Sequence, residues 1–216
     1  MSEEQQFKDP RIAKRIEKVE AITEDLKAKG YERHDATIGL VAANLIALLV
    51  MAPLMAGLYF LFEWLNPGVM KAVVLDSAPV MSWIVIFSMY IFVTIHEGIH
   101  GICNWIFNGH DWKSIQFGVH SGTPYCSCQV PLKKWQYIVV LLMPTILLSI
   151  IMGIIGALTG SVFVIIQAIL MALGGGGDMT ITLLLCFKAK GKGLIILDHP
   201  HKCGCYYFSK IHTKEI

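Results

Sequence analysis

The hydrophobic positions of the chain fall into four long blocks, separated by shorter polar segments. Each block reaches the roughly 20 residues that a helix needs to cross the hydrocarbon core of a bilayer. Gly160 and Ser161 leave almost no loop between the last two blocks, which we therefore expect to form a tight helical hairpin. The four predicted spans are Ile38–Phe62, Val80–Phe107, Tyr137–Leu158 and Val162–Phe187.

The segment Pro10–Lys29, ahead of the first block, has apolar residues at helical spacing with charged residues between them. Pro10 at its start and Gly30 just past its end are typical of helix termini. We expect an amphipathic helix here, which either packs on the protein or lies on the membrane surface.

Two short segments between the second and third blocks have strand-like composition, namely Ser114–His120 and Pro124–Val130. The turn signal Ser121-Gly122-Thr123 separates them, so the pattern predicts a β-hairpin. Such a hairpin could present a strand edge to an extended peptide, or it could simply cover a site.

Together these elements predict an all-α polytopic membrane protein with four transmembrane helices, an N-terminal amphipathic helix and a small cytoplasmic β-hairpin. We divide the chain into a cytoplasmic N-terminal segment (1–37), a four-span membrane core (38–187) and a cytoplasmic C-terminal tail (188–216).

Composition supports the membrane assignment. Hydrophobic residues make up 55% of the chain and charged residues only 16%, against about 25% charged in a typical soluble domain. Residues 1–35 are dense in both signs of charge, so we expect the first span to serve as its own insertion signal. No basic tract interleaved with aromatic residues is present, which excludes nucleic acid as an expected partner.

Lysine and arginine set the expected orientation. They collect in the N-terminal segment, the 108–136 loop and the C-terminal tail, whereas the loop Glu63–Pro79 has only Lys71. Because basic residues stay on the cytoplasmic side, we expect a multi-pass protein of the cell membrane with both termini in the cytoplasm. Structural disulfides are not expected on that reducing side.

The second block carries the motif His96-Glu97-Gly98-Ile99-His100. Two histidines four positions apart project from one face of a helix, where both can bind a single zinc ion. Glu97 points toward the same region and can take a proton from a zinc-activated water molecule. Because ionisable side chains are costly within a span, we interpret these three as functional rather than as polar residues that merely satisfy one another.

A catalytic zinc site usually has three protein ligands. Asp178, the acidic residue of the fourth block, is the candidate for the third. The second and fourth blocks run in the same direction, and His96 and Asp178 each lie about 16 residues from the outer end, hence at similar depth. The glycines 174–177 would weaken or break the helix beside the metal; alternatively they allow close helix packing, with Asp178 paired to another cation.

Other side chains could complete the site if a polar segment folds back toward it, namely His110, His120, Asp198 and His199. Asn104, one turn after His100, could support a ligand by hydrogen bonding. Two Cys-x-Cys pairs are either reduced thiols or a second, structural zinc site, formed by Cys126, Cys128, Cys203 and Cys205.

These residues resemble the site-2 protease class of intramembrane metalloproteases, and more closely a bacterial family of zincin-type peptidases long catalogued as a domain of unknown function. The resemblance covers roughly Tyr90–Tyr206. It implies zinc on His96, His100 and Asp178, Glu97 as general base, and hydrolysis of a peptide bond within or near a membrane span. The motifs that carry it are His96-Glu97-x-x-His100, Pro124–Cys128, Pro144, Gly177-Asp178 and Asp198–Gly204.

The leading hypothesis is therefore an intramembrane zinc metalloprotease that acts on a membrane protein or peptide within the lipid bilayer. A metal-ion transporter is the first alternative, because intramembrane His, Glu and Asp also mark ion pathways. It would need ligands connected to both faces, and the outer halves of the blocks carry none that we identify. A catalytically inactive relative is the second alternative, and the intact Glu97 argues against it.

Overall fold

A computed structural model describes residues 10–71, 79–120 and 123–211 of the chain. The outermost parts of the two predicted cytoplasmic segments, 1–9 and 212–216, lie outside the described residues, as do Ser121 and Gly122 of the predicted hairpin turn.

Four helical segments of the described chain are each long and apolar enough to cross a membrane. They correspond to the four blocks of the sequence, so the prediction of four apolar helical segments is confirmed. The first three are single helices: α2 (Leu40–Leu65), α3 (Pro79–Phe107) and α4 (Lys134–Thr159).

The fourth segment is two helices, α5 (Val162–Gly174) and α6 (Gly176–Lys188), which meet at Gly175. This confirms that the glycines interrupt the helix. Two of them also lie where a side chain would not fit. A Cβ atom on Gly175 would overlap the side chain of Thr145 in α4, and one on Gly176 would lie 2.9 Å from the Cβ of Ala47 in α2. Close packing and helix interruption therefore both apply to this run of glycines.

Four strands, from residues 31–37, 132–133, 195–198 and 204–210, form an antiparallel sheet in which the first strand pairs with the last, the last with the third and the third with the second. The expectation of an all-α fold is wrong in this respect. Strands from both ends of the chain build the sheet, because β1 follows the N-terminal helix and pairs with β6 of the C-terminal tail from Tyr31↔Lys210 to Thr37↔Gly204. The strands are β1 (Tyr31–Thr37), β4 (Leu132–Lys133), β5 (Ile195–Asp198) and β6 (Gly204–Lys210).

The N-terminal helix α1 spans Pro10–Ala28 and packs on this sheet. Val19 and Leu26 on one face of α1 form a buried cluster with Leu197 and Phe208 of the sheet. Of the two placements considered for the helix, the structure shows packing on the protein.

The predicted hairpin is present as β2 (Ile115–His120) and β3 (Thr123–Cys128), paired antiparallel from Ile115↔Cys128 to His120↔Thr123. It packs against α3, where a Cβ on Gly101 would lie within 3.0 Å of the Phe117 ring. The absence of a side chain at Gly101, one residue after His100, thus lets the hairpin approach the end of the His-Glu-x-x-His motif.

The two ends of the helical bundle differ. At one end the Asn66 side chain, just after α2, donates a hydrogen bond to the Ala157 carbonyl near the α4–α5 turn, at 3.2 Å. At the opposite end, β4 leads directly into α4, and β5 follows shortly after α6. Consequently α3 and the α5–α6 segment run in the same direction, toward the end that carries the sheet.

Candidate metal centre

His96 and His100 lie on consecutive turns of α3, and Asp178 lies in the first turn of α6. The Asp178 Oδ2 atom is 3.1 Å from His96 Nε2 and 3.4 Å from His100 Nε2. Both histidines are buried, with 8% and 7% of their surface exposed. Among the described residues, these three form the group whose ligand atoms converge, all within 4.8 Å of one another.

The hydrogen bonding of His100 defines which of its nitrogens faces Asp178. Its Nδ1 lies 2.8 Å from the Val140 carbonyl oxygen in α4. A carbonyl only accepts, so Nδ1 carries the proton and donates it. In a neutral imidazole the other nitrogen, Nε2, then has a lone pair directed toward the carboxylate, an arrangement that a cation between the two groups would stabilise.

This arrangement fits a zinc ion. Zinc binds His nitrogen and carboxylate oxygen at about 2.0–2.2 Å in a tetrahedral geometry, which places neighbouring ligand atoms about 3.3–3.6 Å apart. The distances of 3.1 and 3.4 Å from Asp178 to the two histidines are close to that range. Metal-binding histidines also typically donate their second ring N–H to a carbonyl or carboxylate, as His100 does. The residues present therefore could hold zinc.

Glu97 lies beside the three candidate ligands and does not belong to the converging group. Its carboxylate interacts with the backbone of Cys126 in β3 and lies close to His100 and His96. The hairpin strand thus holds Glu97 at the edge of the candidate metal centre.

A cavity of about 290 Å³ opens beside the centre. Its walls come from α3, α4, α6, the hairpin and the tail, and they include Glu97, His100 and Asp178. Asn104 also lines the cavity, and its side chain interacts with the Cys126 thiol. Asn104 was a candidate to support a ligand by hydrogen bonding, and its contact instead lies on the hairpin.

The C-terminal tail closes one side of this cavity through Asp198. The Tyr137 hydroxyl donates a hydrogen bond to Asp198 Oδ1 at 2.6 Å, and the Cys128 backbone N–H donates one to Oδ2 at 2.8 Å. One carboxylate therefore ties β5 to α4 and to the hairpin. Sequence reasoning did not identify Tyr137 or Val140 as site residues. The sequence feature that could have indicated Tyr137 is its hydroxyl group at the start of an apolar span.

The other residues considered as ligands have different environments. Both carboxylate oxygens of Asp198 are engaged as described. His199 lines the cavity, but its Nδ1 accepts the Lys202 backbone N–H at 2.9 Å and its Nε2 lies 2.9 Å from the Tyr206 hydroxyl. His110 packs its ring on Trp105. The side chain of His120 lies outside the described residues.

The two Cys-x-Cys pairs do not form a second ligand group among the described residues. All of these cysteines are free thiols. Burial raises the pKa of each above the ordinary value of 9.0, so all four stay protonated at neutral pH. Because the ligand atoms of these cysteines do not converge, the reduced, unliganded interpretation fits the structure better. The residues are Cys126, Cys128, Cys203 and Cys205.

Residues 89–192 match the profile of a protein family described as "putative zincin peptidase". This region, just under half of the chain, is similar to that family. The match begins within α3 and ends just after α6, so the zincin peptidase region contains His96, Glu97, His100 and Asp178. The N-terminal helix and strands β1, β5 and β6 of the four-stranded sheet lie outside the matched region. Comparisons with curated proteins and with solved structures gave no significant match.

Similarity to the zincin peptidase family suggests a metallopeptidase, and zincins take their name from a zinc site of the His-Glu-x-x-His type. The family match and the converging His-His-Asp group agree in one respect: the two histidines of the motif, on α3, meet Asp178 of α6 within the matched region.

Proposed function

We propose that this protein is a zinc-dependent endopeptidase that hydrolyses peptide bonds within or near membrane spans. The observation that carries the proposal is the convergence of His96, His100 and Asp178 beside Glu97, inside the region that matches the zincin peptidase family. His96, His100 and Asp178 are the proposed ligands, and Glu97 is the proposed catalytic base.

Zinc, when bound, would supply a Lewis acid that activates water and polarises the scissile carbonyl. The remaining work falls to the chain itself. Glu97 takes a proton from the attacking water and passes it to the leaving amine, which requires a carboxylate near the ligands but not bound as one. The Cys126 backbone beside Glu97 supports this role, because it holds the carboxylate in place from the hairpin side.

The position of the site suggests the substrate class. The ligands lie on helices that are apolar enough to cross a membrane, so a membrane protein or a peptide within the bilayer can reach them. A helical substrate must first unwind, because its own hydrogen bonds shield the scissile bond. Strand β3 approaches Glu97 with its backbone, and we propose that this edge pairs with the unwound substrate. The alternative role of the hairpin is to cover the cavity.

The same proposal places the protein in the cell membrane with both termini in the cytoplasm, and the catalytic centre toward the cytoplasmic end of the bundle. The lysine and arginine distribution supports this orientation. A metal-ion transporter receives less support, since one converging ligand group is found among the described residues and a transport path needs a series of them.

The decisive experiment separates catalysis from metal binding. Purified wild-type protein in detergent would be loaded with zinc and incubated with a fluorogenic library of short, non-helical peptides. Glu97→Gln should reduce hydrolysis at least about 100-fold, the lower range for removing a general base, while retaining about one zinc per chain. Glu24→Gln is the control, since Glu24 is exposed and pairs only with Lys27 in α1, and it should retain full activity.

Equal hydrolysis by wild type and Glu97→Gln would refute the peptidase proposal. Loss of zinc together with activity would instead assign Glu97 to the ligands. A second assay, in proteoliposomes that contain a single-span peptide, tests the membrane substrate class. Cleavage of soluble peptides alone would limit the function to that of a membrane-anchored peptidase.

A further inference from the structure

The carbonyl of Val140 has an unusual position in its helix. Within α4 it would ordinarily accept a hydrogen bond from the backbone N–H four residues later. That residue is Pro144, which has no N–H and whose ring crowds the carbonyl four positions before it. The Val140 carbonyl therefore lacks its helical partner. At membrane depth an unpaired carbonyl is costly, because lipid offers no replacement donor.

His100 supplies the missing donor from the neighbouring helix. Its Nδ1–H donates to the Val140 oxygen at 2.8 Å, and both residues are buried, with 7% and 4% exposed. The proton on Nδ1 leaves Nε2 unprotonated in the neutral ring, and Nε2 is the atom that faces Asp178. The Val140 carbonyl is thus available to His100 because Pro144 lies one helical turn later in α4.

The same stretch of α4 also contacts the segment that carries Asp178. Thr145, the next residue after Pro144, packs directly against Gly175 at the interruption between α5 and α6. One short stretch of α4 therefore touches both halves of the metal centre, His100 through the Val140 carbonyl and the Asp178 segment through Thr145.

We infer that Pro144 is a positioning residue of the metal centre: by withholding a backbone N–H, it reserves the Val140 carbonyl for His100 and so fixes the His100 tautomer whose Nε2 is free to bind metal. This inference rests on the proposed metal site and is independent of whether the bound metal performs proteolysis. A backbone N–H at position 144 would compete with His100 for the same carbonyl and release the ring to the other tautomer.

The test begins with the tautomer in metal-free protein. Protein labelled with ¹⁵N-histidine in detergent micelles gives two-bond ¹⁵N–¹H correlations that distinguish protonated Nδ1 from protonated Nε2. The His100 signal is identified as the one that His100→Gln removes. The wild-type protein should show the Nδ1–H form at His100. The Nε2–H form would overturn the inference without need of any proline variant.

Two substitutions then restore the N–H, Pro144→Ala and Pro144→Val. Alanine is smaller than proline and valine is larger. A change that both variants share is therefore caused by the restored backbone N–H and not by the side-chain volume. Both should show mixed tautomers at His100 and bind zinc about 10-fold more weakly in competition with a chelator, the low end of the loss expected when a ligand's supporting partner is disturbed.

Pro53→Ala is the matched control. Pro53 is the other proline inside a described membrane helix, α2, and the carbonyl four positions before it belongs to Leu49, which is 74% exposed. It should leave the His100 tautomer and the zinc affinity unchanged. An equal effect of Pro53→Ala, or wild-type tautomer and affinity in both Pro144 variants, would overturn the inference. Failure of the wild type to bind zinc would refute the proposed function, while the metal-free tautomer would still decide the role of Pro144.

Discussion

Asp178 Oδ2 lies 3.1 Å from His96 Nε2, although 82 positions separate the two residues in the chain. The contact joins the first turn of α6 to the middle of α3. It is possible because the two segments run in the same direction and both residues lie about equally far from the start of their apolar blocks. Two histidines on one helix can recruit a ligand from another helix only if the depths match, and here they do.

Replacement of Asp178 tests whether this contact is a metal site. Asp178→Ala removes one of the three proposed ligands, and we expect zinc affinity to fall by more than about 100-fold, beyond the loss typical of a supporting partner. Asp178→Asn keeps the shape and one oxygen but loses the charge, so its affinity should lie between those of alanine and wild type. Equilibrium competition with a chelator measures all three.

The control for this series is Asp25→Ala, because Asp25 is an exposed residue of α1 that pairs with Lys29, just after the helix. It should bind zinc like the wild type. Full metal occupancy in Asp178→Ala would show that the carboxylate is not a ligand, and Asp198 and His199, which line the same cavity, would then become the candidates.

The proximity of Asp178 to the two histidines could be predicted from sequence, because helix rise converts position along a span into depth. The four apolar helices and the β2–β3 hairpin followed from local periodicity in the same way. The four-stranded sheet did not. Its strands β1 and β6 come from opposite ends of the chain and pair with each other. A polar strand such as Tyr31–Thr37 has no alternation of apolar and polar residues that would predict a strand.

The role of the Val140 carbonyl also could not be predicted from the sequence, for a different reason. It contributes to the site through the backbone, so no side-chain motif marks it. The signal that does mark it is Pro144, which frees the carbonyl four residues earlier. Which donor then takes that carbonyl depends on how α3 packs against α4, and this packing is tertiary information.

The close approach of α4 to Gly175 predicts that position 175 does not tolerate a side chain. A methyl group at position 175 would overlap Thr145, so Gly175→Ala must push α4 away from the segment that carries Asp178. We expect a loss of about 1–3 kcal/mol in unfolding free energy, the usual cost of overpacking, together with weaker zinc binding. Thermal unfolding in detergent and chelator competition would measure the two effects.

Gly174→Ala is the matched control for this substitution. A methyl group at position 174 would have no neighbour within 4 Å, and alanine favours a helix over glycine. Stability should therefore stay equal or rise slightly, with unchanged zinc affinity. The added change Thr145→Ala should recover part of the loss in Gly175→Ala. Equal behaviour of Gly174→Ala and Gly175→Ala would contradict the packing argument.

His199 predicts how stability depends on pH. It is 5% exposed, and its Nδ1 must stay unprotonated to accept the Lys202 N–H. Burial, assisted by the nearby His201 and Lys202 charges, lowers the pKa of His199 to about 4 from its ordinary 6.5. Between these values the unfolded chain binds a proton that the folded chain does not. Stability from this group is therefore complete above about pH 6.5 and lost as the pH falls toward 4.

The size of this contribution is at most about 3 kcal/mol, from the free energy that corresponds to such a pKa difference. Thermal unfolding followed by tryptophan fluorescence between pH 4.5 and pH 7.5 would measure it. His199→Gln keeps a donor and an acceptor but does not titrate, so its stability should change less over this interval. Parallel curves for the variant and the wild type would show that His199 does not contribute.

The final prediction concerns the orientation of the bundle. Asn66 and the α4–α5 turn lie at one end, joined by the hydrogen bond from Asn66 to Ala157, and the sheet lies at the other. Because lysine and arginine collect at the sheet end, that end should face the cytoplasm. A fluorescent protein fused after Ile216 should therefore fluoresce in the cytoplasm, and alkaline phosphatase inserted after Asn66 should be active outside.

If both signals are reversed, the sheet and the metal centre open to the exterior, and substrates would have to be sought among segments exposed on that side. If the two reporters give the same side, the chain crosses the membrane an even number of times between Asn66 and Ile216, which contradicts the three spanning segments α3, α4 and α5–α6. Only the predicted pair of signals is compatible with a metal centre that opens toward the cytoplasm.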